Sequence, residues 1–152
     1  MCIRDSFHNA DALAFDGDGD LVVSPWFLPG GYDLVEVRAS GKPIYIRANA
    51  RGVGGKATAL ASGTQGSVVW AAQTGLYRLA NGSESPTLIP GSVALSDALG
   101  PAASNEPFLG GDGIAVGPNG EIYVDTSPNA TATPYAILEL SPTNSAKALW
   151  RS

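Results

Sequence analysis

The sequence predicts an all-β fold made of three four-stranded antiparallel units, and three observations predict it. First, 19 glycines and 11 prolines in 152 residues interrupt short apolar runs, a texture that favours turns and strands over helices. Second, apolar and polar residues alternate with period two in stretches such as Leu34-Val35-Glu36-Val37 and Leu76-Tyr77-Arg78-Leu79, as in a sheet with one face drier than the other. Third, one arrangement of strands and turns recurs three times.

The first copy reads ALAFDGDGDLVVSP and then YDLVEVRASGKPIYIR, from Ala12 to Arg47. The second reads ATALASGTQGSVVWAA and TGLYRLANGSESPTLIP, from Ala57 to Pro90. The third reads DGIAVGPNGEIYVDTSP and YAILELSPTNSAKALWR, from Asp112 to Arg151. Their turn glycines, Gly19, Gly66 and Gly120, lie 47 and 54 residues apart. In each copy a first strand enters a polar glycine turn (DGDG, GTQG or GPNG), and a second strand leaves it at once. Glycine and asparagine supply the positive φ that such hairpins require. A third strand alternates around one charged position, and a turn at Ser40-Gly41, Asn81-Gly82 or Pro142-Thr143 leads to the fourth, PIYIR, TLIP or ALWR. Four-stranded antiparallel units at a period of about 40–50 residues are the sequence sign of β-propeller blades. The expected blades cover about 11–47, 57–90 and 112–151, with linkers at 48–56 and 91–111.

The third copy also resembles a family. Gly113-Ile114-Ala115-Val116, the Gly117-Pro118-Asn119-Gly120 turn and Ile122-Tyr123-Val124 are similar to the core of an NHL-type repeat, and Leu99-Gly100-Pro101-Ala102-Ala103 resembles the linker that precedes such repeats. The other copies fit more loosely, as ALAF…DLVVSP and ALAS…SVVWAA. The resemblance runs from about Ala10 to Ser152 and implies a six-bladed ring of the TolB-like or gluconolactonase-like type. Three blades are half of such a ring, so the expectation is a C-terminal part of a longer chain whose N-terminal blades are missing.

The opening Met1-Cys2-Ile3-Arg4-Asp5-Ser6 holds the only Met and the only Cys. Back-translated, it reads as the mosaic-end adapter of sequencing libraries, so residues 1–6 are expected to be adapter-derived rather than native. On that reading Cys2 is no guide to the redox compartment, and the lack of a leader pattern is no guide to secretion. A cysteine-free, lysine-poor chain rich in small residues points to an extracytoplasmic bacterial setting.

A net charge of −5 with nine scattered basic residues lacks the clustered cations that bind nucleic acid. No apolar run approaches the ~20 residues of a membrane-spanning helix. His8, the only histidine, has no G-x-S-x-G serine or Cys/His partner in the sequence, so no catalytic residue and no resident cofactor are expected. Asp16, Asp18 and Asp20 alternate with glycine, but the twelfth position counted from Asp16 is Phe27 rather than the glutamate of a calcium loop. They read as a hairpin turn.

Antiparallel order alone places the connection between second and third strands on the same face as the linkers between blades. That face gathers Ser24 to Tyr32 from the first copy and Ser127 to Tyr135 from the third, whereas the second has only Ala72-Gln73-Thr74-Gly75. Long aromatic loops on a rigid scaffold are where binding usually sits. Trp26, Phe27, Tyr32 and Tyr135 are therefore the candidate anchors for a protein or small-molecule ligand. Asp11 and Asp112 open the innermost strands at the mouth of the central channel and complete the candidate set. The likeness of Asp112-Gly113 to the Asp-Gly dyad of gluconolactonase-like propellers implies an alternative, a metal-dependent hydrolase or lyase with calcium in the full-length parent. Asn9 and Asn105 lie near in sequence.

Overall fold

In the computed structural model, residues 10–25, 34–46, 57, 59–72, 75–95, 110–126 and 135–151 are described. They form three four-stranded antiparallel sheets, each a meander in which successive strands pair. Blade one comprises β1 (Ala10–Phe15), β2 (Leu21–Pro25), β3 (Leu34–Val37) and β4 (Pro43–Ile46). Blade two comprises β5 (Ala59–Ser62), β6 (Val68–Ala72), β7 (Gly75–Leu79) and β8 (Thr87–Leu88). Blade three comprises β9 (Gly110–Val116), β10 (Ile122–Thr126), β11 (Ala136–Leu140) and β12 (Ala146–Arg151). Among the described residues no helix is long and apolar enough to cross a membrane.

The turns follow from their residues. In the β1–β2 turn the Asp16 carboxylate accepts the N–H groups of Asp18 and Asp20, at 3.0 and 2.8 Å, and Gly19 takes φ +81°. Asp16, Asp18 and Asp20 thus sit in the turn the sequence suggests. The β5–β6 turn is a short 3-10 turn, Thr64–Gly66, and β8 covers only two residues. The Ile89 N–H still donates to the Leu76 carbonyl at 2.8 Å, and Pro90 after it has no N–H to extend the ladder.

Innermost strand β5 contacts both β1 and β9, so the blades stack around a common inner edge. Because side chains alternate across a strand, each blade has two faces, one upstream and one downstream along the chain. The downstream face of blade one (Ala14, Val22, Leu34, Ile46) meets the upstream face of blade two (Val68, Trp70, Tyr77, Leu79) in one buried cluster. There Trp70 is fully buried and stacks on Tyr77, with ring centroids 5.7 Å apart. The downstream face of blade two (Val69, Ala71, Leu76) meets the upstream face of blade three (Ile122, Val124, Leu138, Leu140) in a second. Leu95, in the 3-10 turn Ser92–Leu95, is fully buried in that second cluster.

Two faces remain outside these clusters. The upstream face of blade one is apolar in two rows that span all four strands, Leu13-Val23-Val35-Tyr45 and Phe15-Leu21-Val37-Pro43. Leu13, Phe15 and Tyr45 on it are about half exposed, at 59%, 57% and 49%. The downstream face of blade three carries Tyr123, Glu139 and Lys147 in one row and Asp125, Ile137 and Trp150 in the next. The sheets do not close into a ring.

Candidate ligand-binding rim

Strand polarity assigns one end of the blades to long connections. Residues 26–33 join β2 to β3, and residues 127–135 join β10 to β11, while β6 and β7 are separated only by residues 73–74. The linkers between blades leave from the same end. Ser24 and Thr126 anchor the bases of the long connections. The buried Ser24 hydroxyl donates to the Ala57 carbonyl at 2.8 Å, tying blade one to the chain entering blade two. Thr126 Oγ1 accepts the Ala136 N–H at 2.9 Å and donates to the Ala136 carbonyl at 3.4 Å, closing the mouth of the second connection.

Of the candidate anchors, Tyr135 lies immediately before β11 and is 59% exposed. Trp26, Phe27 and Tyr32 fall outside the described residues. Asp11 lies in β1 and Asp112 in β9, both near the starts of innermost strands. By strand polarity Asp11, Asp112 and Tyr135 each lie at the long-connection end of their own blade.

Sequence reasoning missed Asp125. It occupies the strand position in β10 that Ser24 occupies in β2, and its carboxylate accepts the Gly113 N–H at 2.8 Å. The glycine matters at this point, because a Cβ on Gly113 would stand 3.3 Å from Asp125 Oδ2. Asp125 is exposed at the rim. The signal that could have found it is register: counted from Gly120, it falls on the downstream face beside the dyad.

The opposite, tight-turn end holds a different cluster. Asp16, Asp20 and Glu36 each offer a carboxylate oxygen within 4.8 Å of the others. These oxygens already have partners. Arg38 Nε donates to Glu36 Oε1 at 2.7 Å and lies 3.9 Å from Asp20 Oδ2, and the Ala39 N–H bonds Asp20 Oδ1 at 2.9 Å. The Glu36 hydrogen bond holds the Arg38 guanidinium above its usual pKa. Partial burial opposes the shift, and the charges of Glu36, Asp20 and Glu84 add to it. Arg38 and the Ala39 N–H thus tie the β1–β2 turn to a buried glutamate. In blade three, Glu121 is held below its usual carboxylate range by its own backbone N–H and by Asn119, whose amide donates to it at 3.1 Å.

Comparison with known proteins bears on the fold. No protein-family model matches the sequence, and no curated protein matches it. Among solved structures, the chain is similar to a gluconolactonase of Xanthomonas campestris, with a TM-score of 0.67 and 14% identity over 97% of this chain and 49% of that one. It is similar to virginiamycin B lyase of Staphylococcus aureus, with a TM-score of 0.63 and 14% identity over 97% of this chain and 43% of that one. It is also similar to PorZ, a surface component of the type-IX secretion system of Porphyromonas gingivalis, with a TM-score of 0.61 and 17% identity over 97% of this chain and 21% of that one. The chain thus spans about half the length of the gluconolactonase and less of the others. Identities this low speak to architecture alone, and on architecture all three agree with the sheets described above: this chain is three consecutive blades of a β-propeller.

Proposed function

We propose that this chain belongs to an NHL-like, six-bladed binding propeller that holds a protein or small-molecule partner on its long-connection face. The observation that carries the reading is the asymmetry of the connections: 26–33 and 127–135 are long, 73–74 is minimal, and the long ones share an end with the linkers. Trp26, Phe27, Tyr32 and Tyr135 supply the aromatic anchors, and Asp11 and Asp112 supply polar groups at the channel mouth. Further blades of the same polypeptide cover the open upstream face of blade one. The test places a photoreactive amino acid at position 26 or 27, and separately at Thr64 on the tight-turn end, in the full-length parent. Partner crosslinks from 26 and 27 but not from 64 support the reading. Equal crosslinking from both ends sinks it.

A second reading, a metal-dependent hydrolase or lyase, is favoured by one observation, the Asp112-Gly113 dyad in β9 beside the exposed Asp125. Calcium takes six to eight oxygens. Asp125 Oδ1 accepts the Gly113 N–H, which leaves Oδ2 of that carboxylate as a ligand, and other residues would complete the set. A bound cation would polarise a substrate oxygen, and Asp112 and Asp125 would hold it in place. If calcium raises the melting temperature of the full-length protein and Asp112→Asn abolishes the rise, this reading displaces the first.

A further inference from the structure

We infer that the cleft between blades two and three is a binding site for a small organic oxyanion, a carboxylate or phosphate monoester with an apolar body, held by Arg78. The cleft is independent of the long-connection face. It has a volume of about 260 Å³ and lies between β7–β8 and the tight turns of blade three. Since a water molecule takes about 30 Å³ in the liquid, a small aromatic or aliphatic anion fits.

The case for Arg78 rests on comparing the three blades. Register places Glu36, Arg78 and Glu139 at one equivalent position, the centre of each downstream face. Glu36 is paired with Arg38 at 2.7 Å, and Glu139 with Lys147 at 3.0 Å. Arg78 is the exception. Its Nε is sealed from solvent without a hydrogen-bond partner, and among the described residues no side chain is ion-paired with it. A buried unpaired donor is costly, and a guanidinium stays charged at any ordinary pH. Arg78 lines an open space in this interface.

The lining suits an anion with a hydrophobic portion. No carboxylate contributes to it, Leu88, Ile89 and Leu140 provide apolar wall, and Ser141 and Asn144 add polar groups from the β11–β12 turn. A guanidinium grips carboxylate and phosphate oxygens in a planar fork, so those groups, and not neutral hydroxyls, are the expected ligands.

The test titrates the chain with benzoate, inorganic phosphate and the neutral analogue benzyl alcohol at constant ionic strength. The Arg78 Nε–H resonance is followed by NMR, with ligand saturation transfer as a second readout. Benzoate should move the resonance, phosphate should move it less for want of apolar contact, and benzyl alcohol should leave it unmoved. Arg78→Met should weaken benzoate binding at least ten-fold, and Arg78→Lys should restore part of it. A resonance indifferent to both anions means that the cleft holds only water and overturns the proposal. So does benzyl alcohol binding as well as benzoate, or undiminished benzoate binding to a folded Arg78→Met chain.

Discussion

Trp70 concentrates the energetics of the blade one–blade two interface in one side chain. It is fully buried, stacks on Tyr77, and keeps an indole N–H with no hydrogen-bond partner. Removing so large a core side chain costs about 3–5 kcal/mol, so Trp70→Ala should lower stability by that order in chemical denaturation. Trp70→Phe keeps most of the stacked ring while deleting the unsatisfied donor, whose burial is itself a cost. Phenylalanine should therefore recover most of the loss. A phenylalanine variant as unstable as the alanine one would mean that the full volume of the indole, not the stacked ring alone, carries the interaction. Glu121 gives the residue scale a pH dependence. Its folded pKa is depressed, so its contribution is fully present above the unfolded carboxylate value and is lost as pH falls through the lower, folded one. NMR titration should find Glu121 protonating below an ordinary glutamate. In Glu121→Gln, hydrogen exchange at Asn119 should lose its acid-dependent step.

At the scale of elements, the turns do more than reverse the chain. Gly17 N–H donates to the Gly66 carbonyl at 2.9 Å, so the β1–β2 turn of blade one is bonded to the β5–β6 turn of blade two. A Cβ on Gly66 would come within 2.6 Å of Gly17 Cα, and Gly66 takes φ +74°. Both the contact and the backbone exclude a side chain, so Gly66→Ala should destabilise by more than about 1 kcal/mol. Gly82→Ala is the control, since Gly82 also has positive φ (+70°) but open space where a Cβ would be. Its smaller loss measures the backbone penalty alone. Equal losses would mean that the Gly17–Gly66 contact is soft. The glycine turns, the strand order and the alternating faces were legible in the sequence because each is a local pattern. Gly17 against Gly66, Arg78 without a counterion and Asp125 beside Gly113 were not, because each depends on which residues oppose one another across strands or blades. The candidate rim was legible only as a set of long connections. Trp26, Phe27 and Tyr32 sit in stretches without periodicity, and nothing local fixes where their rings go.

At the scale of the whole molecule, each of the two interfaces between blades buries an apolar cluster, while the outermost faces retain large exposed side chains. Leu13, Phe15 and Tyr45 share the upstream face, and Ile137 and Trp150 share the downstream one. Contiguous apolar surface of this kind drives association. The 152-residue chain on its own should therefore sediment as concentration-dependent oligomers. Phe15→Lys with Tyr45→Lys should shift it toward monomer with its strand content intact. A wild-type chain that stays monomeric at high micromolar concentration would show that these side chains are already covered.

The two outermost faces are not alike. One is apolar across two full rows, and the other sets an ion pair, Glu139 with Lys147, beside Ile137 and Trp150. Like therefore does not meet like, and a two-fold symmetric pairing of either face with itself would waste that difference. Copies that add to one another would do so head to tail, all pointing the same way. Such a polarity leaves two outcomes, a ring if the angular step closes and a filament if it does not. A fold whose blades add in one direction thus has an inherent sense of growth, set by the order in which its strands leave the axis.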